Sequence, residues 1–354
     1  MTSRTGALRQ VGEIVEAGLA SPEHRAALER VAARYAVAIT PAMQELIDPD
    51  DPADPIARQF LPDPAELATA PGELADPIGD AAHSPVEGIV HRYPDRVLLT
   101  PIHLCPVYCR FCFRREKVGP GVAAVLSDAA LARALAYIAG HPAIWEVILS
   151  GGDPLILSRR RLRAILDALA AIDHVKVVRF HTRVPAVAPE RVSPALARTL
   201  RVAGKASYVV LHANHPRELT EAARAACGRI VDAGVPMLSQ SVLLRGVNDD
   251  PAVLAELMRA FVEARVKPYY LHHLDPAPGT QRFRTSIAHG QELVRSLRGH
   301  HSGLCQPTYV LDLPGGHGKA PIAANSIAAS EGEAYEIEDY CGRLHRYPPR
   351  QSQR

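Results

Sequence analysis

Six cysteines among 354 residues are too few for a disulfide scaffold. No apolar run approaches the roughly 18 residues that a membrane-spanning helix needs. Neither sign of charge dominates: 40 Lys and Arg stand against 38 Asp and Glu, a formal net charge of +2. That balance gives no basis for nucleic acid or a membrane surface as a partner. The opening Met-Thr-Ser-Arg-Thr-Gly lacks the apolar stretch of a signal peptide, so a cytoplasmic location is expected. The length suits one large domain, with or without a smaller one. Hydrophobic residues, at 47%, are ample for its core.

Three of the few cysteines are crowded into Cys105-Pro-Val-Tyr-Cys109-Arg-Phe-Cys112, after the apolar run Val97–Leu99. Spacings of three and then two residues can hold three corners of a cubic four-iron cluster and leave one iron without a protein ligand. Structural zinc is the rival, but it wants a fourth ligand. The nearest candidate, His103, precedes the first cysteine by only two residues. Arg110, Arg114, Arg115 and Lys117 supply positive charge nearby, for the cluster or for an anionic substrate.

Residues 8–47 read as helices, and 48–85, with its Asp-Pro steps, as an irregular wrapping segment. From residue 97 the pattern alternates. Short apolar strands are expected at Val97–Leu99, Trp145–Leu149, Val175–Phe180, Tyr208–Leu211, Val235–Leu238 and Lys267–Leu271. Helices are expected over Ser127–Ile138, Arg160–Leu169, Thr220–Ala233, Ala252–Val262 and Ala288–Leu297. Six strands with crossovers of this length predict an α/β fold, a partial parallel (β/α)6 TIM-like barrel. Polar residues follow the strands: Ser150-Gly151-Gly152-Asp153, His181, Arg183, His212, Gln240, His272 and Asp275. In a parallel barrel that end carries the active site.

The cysteine spacing in the first strand-to-helix loop resembles the radical S-adenosylmethionine enzymes. In that family the open iron binds the amino and carboxylate groups of the methionine part, and the reduced cluster generates a 5′-deoxyadenosyl radical. Ser150, Gly151, Gly152 and Asp153 resemble the family's glycine-containing motif at the amino end of the methionine. The resemblance also implies cofactor contacts for His212 and Gln240.

Near the C-terminus stands Pro314-Gly315-Gly316-His317-Gly318-Lys319. It is not a P-loop, because Ala320 replaces the required serine or threonine. A lysine in a flexible glycine loop can also bond to an aldehyde cofactor. Together with His91-Arg92-Tyr93-Pro94-Asp95-Arg96, the cysteine loop and Gln240–Asp249, this element makes the chain resemble the lysine 2,3-aminomutase family over nearly its whole length. The resemblance implies that Lys319 carries pyridoxal 5′-phosphate, with Arg92 and Arg96 near the phosphate. It implies that Arg114 binds the substrate carboxylate, and that Asp275 and Asp312 hold a distant ammonium.

The expected reaction is radical migration of the α-amino group of L-lysine to the β-carbon. The expected partners are an amino-acid substrate, an electron donor such as flavodoxin or ferredoxin, and further copies of the chain. Ornithine, or a role in modifying elongation factor P, remains an alternative. A non-catalytic metal-cluster interaction protein is the alternative of another class. No structural zinc is expected, because Asp250 and the single Cys341 replace the cysteines that bind it in clostridial members. The expected division is a helical and wrapping segment over 1–90 and a barrel over 91–285. A C-terminal segment over 286–354 would carry the cofactor lysine and an oligomerisation tail.

Overall fold

The computed structural model describes residues 6–119, 121, 123–331 and 334–348. Four short helices open the chain: α1 (Val11–Glu16), α2 (Arg25–Arg34), α3 (Pro41–Gln44) and α4 (Pro55–Phe60). Helix α2 buries Leu28 and Val31 at helical spacing. Proline opens α3 and α4 at the first turn, where a missing N–H costs nothing. Asp54 caps α4 by accepting from the backbone N–H groups of Ile56 and Ala57.

A single sheet then runs β1 (Ile89–Tyr93), β2 (Arg96–Ile102), β3 (Glu146–Gly151), β4 (Val177–Thr182), β5 (Ala206–His212), β6 (Met237–Val242), β7 (Val266–His272), β8 (Thr308–Leu313) and β9 (Gly318–Pro321), paired in that order. Pairing is parallel from β2 through β8 and antiparallel at both margins. The crossovers carry α5 (Asp128–Ala139), α6 (Arg159–Ala170), α7 (Val184–Val187), α8 (Pro194–Thr199), α9 (Glu221–Asp232), α10 (Pro251–Glu263) and α11 (Ile287–Leu297). Ser127, Ser158, Thr220, Asp250 and Ser286 cap five of them through their side chains. Strands β3 and β4 are buried on both faces, as parallel strands under helices must be. One continuous core joins them to the N-terminal helices. Beyond it, β10 (Ile327–Glu331), β11 (Ala334–Glu338) and β12 (Leu344–Tyr347) form a small antiparallel sheet.

All six strands expected from the sequence form, and the sheet continues past them. Strand β8 is a seventh parallel member, and β9 returns beside it. Hydrophobic periodicity did not reveal β8, because its two polar residues and the following Pro-Gly-Gly read as a loop. The margins of the sheet come together without a backbone ladder. Tyr93 Oη on β1 accepts the Lys319 N–H of β9 at 2.8 Å. Arg92 Nη1 on β1 lies 3.9 Å from Asp312 Oδ1 on β8. The barrel is thus nearly closed, and side chains span its seam.

Candidate active site

The loop after β2 carries Cys105, Cys109 and Cys112. All three line one cavity, with Tyr35, Val107, Tyr108 and Arg115 on its wall. Burial pushes each thiol up, Cys109 to about 11. Such thiols stay protonated unless a metal supplies countercharge. Arg183 Nη1 donates to Cys109 Sγ at 3.3 Å, and the same guanidinium pairs with the buried Glu218. Glu218 also accepts the backbone N–H of Asn214 and of His215, which fixes the turn after β5.

Gly151 and Gly152 set the position of this loop. Gly151 has φ of 97°, a left-handed conformation that suits glycine. Its N-terminal neighbour Ser150 lies 3.5 Å from Arg114 Nη1. Gly152 N–H donates to Ile102 O at 2.7 Å, and Asp153 N–H to Leu104 O at 2.9 Å. A Cβ on Gly152 would overlap the Leu104 carbonyl. The glycines therefore bring β3 against the cysteine loop itself. Asp153 is buried and accepts from Thr182 Oγ1 at 2.7 Å and from Arg183 N–H at 2.7 Å. It ties β3 to β4 and sets the backbone of the arginine that touches Cys109.

The second cluster of groups grows from the β8–β9 hairpin. Asp312 and Lys319 are cross-strand partners in its register. Gly315, Gly316 and Gly318 all have positive φ, which lets this hairpin turn. Lys319 Nζ donates to Asp312 Oδ1 at 2.8 Å, and His272 Nδ1 lies 3.0 Å from Asp312 Oδ2. His272 and Lys319 hold the Asp312 carboxyl well below the usual range, against the pull of burial. Asp275 is buried beside it with Oδ1 unpartnered. Burial, then the Asp312 charge, pushes Asp275 up to about 8.

Two arginines face this pair through one carboxylate. Asp80 accepts from Arg92 Nη2 at 3.0 Å and from Arg114 Nε at 2.8 Å. Arg96 stands further off: it pairs with Asp95 at 2.6 Å and lies over the Tyr93 ring, 3.7 Å from its centroid. His212 Nε2 is 3.1 Å from His181 Nδ1, and burial pushes His212 down to about 3. Gln240 is the register partner of His212.

Residues 99–258 match the family model described as the radical SAM superfamily. Residues 294–353 match the one described as lysine-2,3-aminomutase. L-lysine 2,3-aminomutase of Clostridium subterminale is 42% identical over 311 residues, 88% of this chain and 74% of that protein. The enzyme of the same name from Acetoanaerobium sticklandii is 39% identical, over 92% of this chain and 78% of that one. The chain belongs to the lysine 2,3-aminomutase family. Glutamate 2,3-aminomutase of Clostridioides difficile is also similar, 34% identical over 88% of this chain and 76% of that protein. Membership makes this chain an isomerase that uses a [4Fe–4S] cluster, S-adenosylmethionine and pyridoxal 5′-phosphate.

The residues present fit those groups. Three thiols on one cavity suit three irons of a cluster. Buried, unpartnered atoms suit polar ligands: Arg92 Nε, His181 Nε2, His272 Nε2 and Asp275 Oδ1 find no hydrogen-bond partner among the described residues. Of the four cations near the cysteines, Arg110 and Arg115 are committed to Glu66 and Lys117 to Asp76. Arg114 alone reaches the Asp80–Ser150 side. Asp80, Glu66 and Glu218 were missing from the sequence reading. They sit in segments without periodicity, and only the fold brings them to the arginines.

Proposed function

We propose that this chain is an L-lysine 2,3-aminomutase, which moves the α-amino group of lysine to the β-carbon. The arrangement of Lys319, Asp312 and Asp275 supports this most directly. One carboxylate already holds an ammonium, and a second stands beside it unpartnered and buried. A buried ammonium needs such countercharge, and an acidic side chain would be repelled. Glutamate is therefore disfavoured, although a glutamate enzyme is among the relatives.

When bound, the cluster and S-adenosylmethionine supply a carbon radical, and pyridoxal phosphate supplies an aldehyde and a ring that stabilises the migrating centre. Cys105, Cys109 and Cys112 would hold the cluster. Ser150, Gly151, Gly152, Asp153, His212 and Gln240 line or shape the adenosylmethionine side. Lys319 would hold the aldehyde cofactor, with Arg92 and Arg96 toward its phosphate. Arg114, oriented by Asp80, offers a guanidinium fork to the substrate carboxylate. Asp275 and Asp312 take the distant ammonium. Burial of Ser150, Asp153, Asp275 and Asp312 helps keep water from the reacting carbons. Among the described residues no helix is long and apolar enough to cross a membrane. The reading includes a cytoplasmic setting, a flavodoxin- or ferredoxin-like electron donor and a homo-oligomer.

The test is anaerobic reconstitution with iron, sulfide, S-adenosylmethionine, pyridoxal phosphate and a reductant, followed by chiral analysis of the products. β-Lysine from lysine is expected. Turnover of glutamate or ornithine without β-lysine would overturn the substrate assignment. The Lys319→Ala protein should lose both turnover and the absorbance of the bound cofactor.

A further inference from the structure

His272 ends β7, and its Nδ1 rests on one oxygen of Asp312 while Lys319 occupies the other. An ionised carboxylate can only accept, so Nδ1 is the nitrogen that carries the proton. Nε2 is left with its lone pair. That atom is buried and has no hydrogen-bond partner among the described residues. A buried, unpaired acceptor costs free energy unless a ligand satisfies it. A carboxylate that orients an imidazole and leaves the far nitrogen free is how a general base is held in place. The neighbouring imidazole, His181, has no such carboxylate among the described residues; its Nδ1 meets His212.

We infer that His272 is the base for amine exchange at Lys319, its Nε2 taking a proton from the α-ammonium of the arriving amino acid. This rests on the reading of Lys319 as the cofactor lysine. An N–H bond of the substrate breaks and an Nε2–H bond forms. The electron pair stays on the substrate nitrogen, which is then free to replace Lys319 on the aldehyde carbon. The imidazolium is held by Asp312. The proton returns to an amine when product leaves, and no oxidant or reductant is consumed. The groups facing His272 are Asp312 on β8, Lys319 on β9, His181 on β4 and His212 on β5, with the Tyr270 ring 5.6 Å away. Burial and the Lys319 charge outweigh Asp312 and lower the affinity of this imidazole for a proton. That favours the neutral imidazole, whose unpartnered Nε2 can act as a base.

The experiment uses the full chain loaded with pyridoxal phosphate, its cluster left oxidised so that no radical forms. Lysine is added in a stopped-flow instrument, and displacement of Lys319 is followed by cofactor absorbance. The wild-type rate should fall as pH drops through one ionisation below neutral. His272→Asn keeps an amide N–H for Asp312 but has no base at Nε2. It should exchange about 10²–10⁴-fold more slowly and lose that ionisation. His272→Ala should regain rate with added imidazole. A wild-type rate and pH profile in His272→Asn, a flat wild-type profile, or no rescue by imidazole would each overturn the assignment. Retention of cofactor absorbance by Lys319→Ala would instead overturn the cofactor-lysine reading beneath it.

Discussion

At the scale of single residues, the two acids of the proposed substrate pocket differ sharply. Asp312 is ionised because His272 and Lys319 face it. Asp275, pushed up to about 8, keeps its proton at neutral pH until a cation arrives. Binding of lysine should therefore release a proton from Asp275, and affinity should rise with pH through that ionisation. Calorimetric titrations in buffers of different ionisation enthalpy would count the proton; none released would refute the expectation. The stability effect has a definite sign. A carboxyl whose folded value is raised stabilises the empty protein most below the ordinary aspartate range, and that contribution is lost as pH rises toward about 8. Asp275→Asn should remove the proton release and lower kcat/KM for lysine by on the order of 10²-fold, since losing one member of a buried charge pair costs about 2–5 kcal/mol. Steady-state kinetics with lysine check the second part. His272 and Asp80 were not readable as partners of these groups, because nothing in the order of residues sets 272 beside 312 or 80 beside 114.

At the scale of elements, close backbone contact is what places the cysteines. Strand β3 ends on Gly151, with Gly152 directly after it, and Ile102, the register partner of Gly151 on β2, leads into the cysteine loop. Gly152→Ala would drive a Cβ into the Leu104 carbonyl. Either the loop or the strand must move, at a cost of about 1–3 kcal/mol. The reconstituted variant should hold less iron and sulfide per chain than wild type, with a lower unfolding midpoint. Wild-type iron content would show that the contact does not set the loop. The glycines were legible in the sequence as a functional motif. That they serve by abutting another loop was not, since glycine at a strand end is equally compatible with contact to a ligand. The β8–β9 hairpin makes a similar point: residues 312 and 319 pair because of register, and register follows from the turn geometry of three glycines with positive φ.

At the scale of the whole molecule, the segment 48–85 is a structural strap. Glu66 is fully buried, accepts from Arg110 Nε at 2.9 Å and Nη2 at 2.6 Å, and also pairs with Arg115. It fastens the strap to the cysteine loop. The arginines hold its carboxyl below the usual range despite burial. This stability is present above the ordinary glutamate range and is lost as pH falls through the lowered folded value. Glu66→Gln would leave two buried guanidinium groups short of a counterion, at about 3–5 kcal/mol. Urea unfolding should show that loss as a lower midpoint, and an unchanged midpoint would remove the strap from the account of stability. Gly79 extends the same strap to the β8–β9 hairpin: a Cβ there would stand 2.6 Å from Gly316 N.

By itself the sequence determined the family, the alternation of strand and helix, and the order of the chemical motifs. Those are properties of spacing and local pattern, which survive without knowledge of what lies across the barrel. Only the tertiary structure decided how the site closes. Closure depends on pairings between distant segments: β1 with β9 through Tyr93 and Lys319, Asp80 with Arg92 and Arg114, and Asp312 with His272. These contacts arise because a twisted parallel sheet brings its margins together, and no local periodicity encodes which side chains then meet.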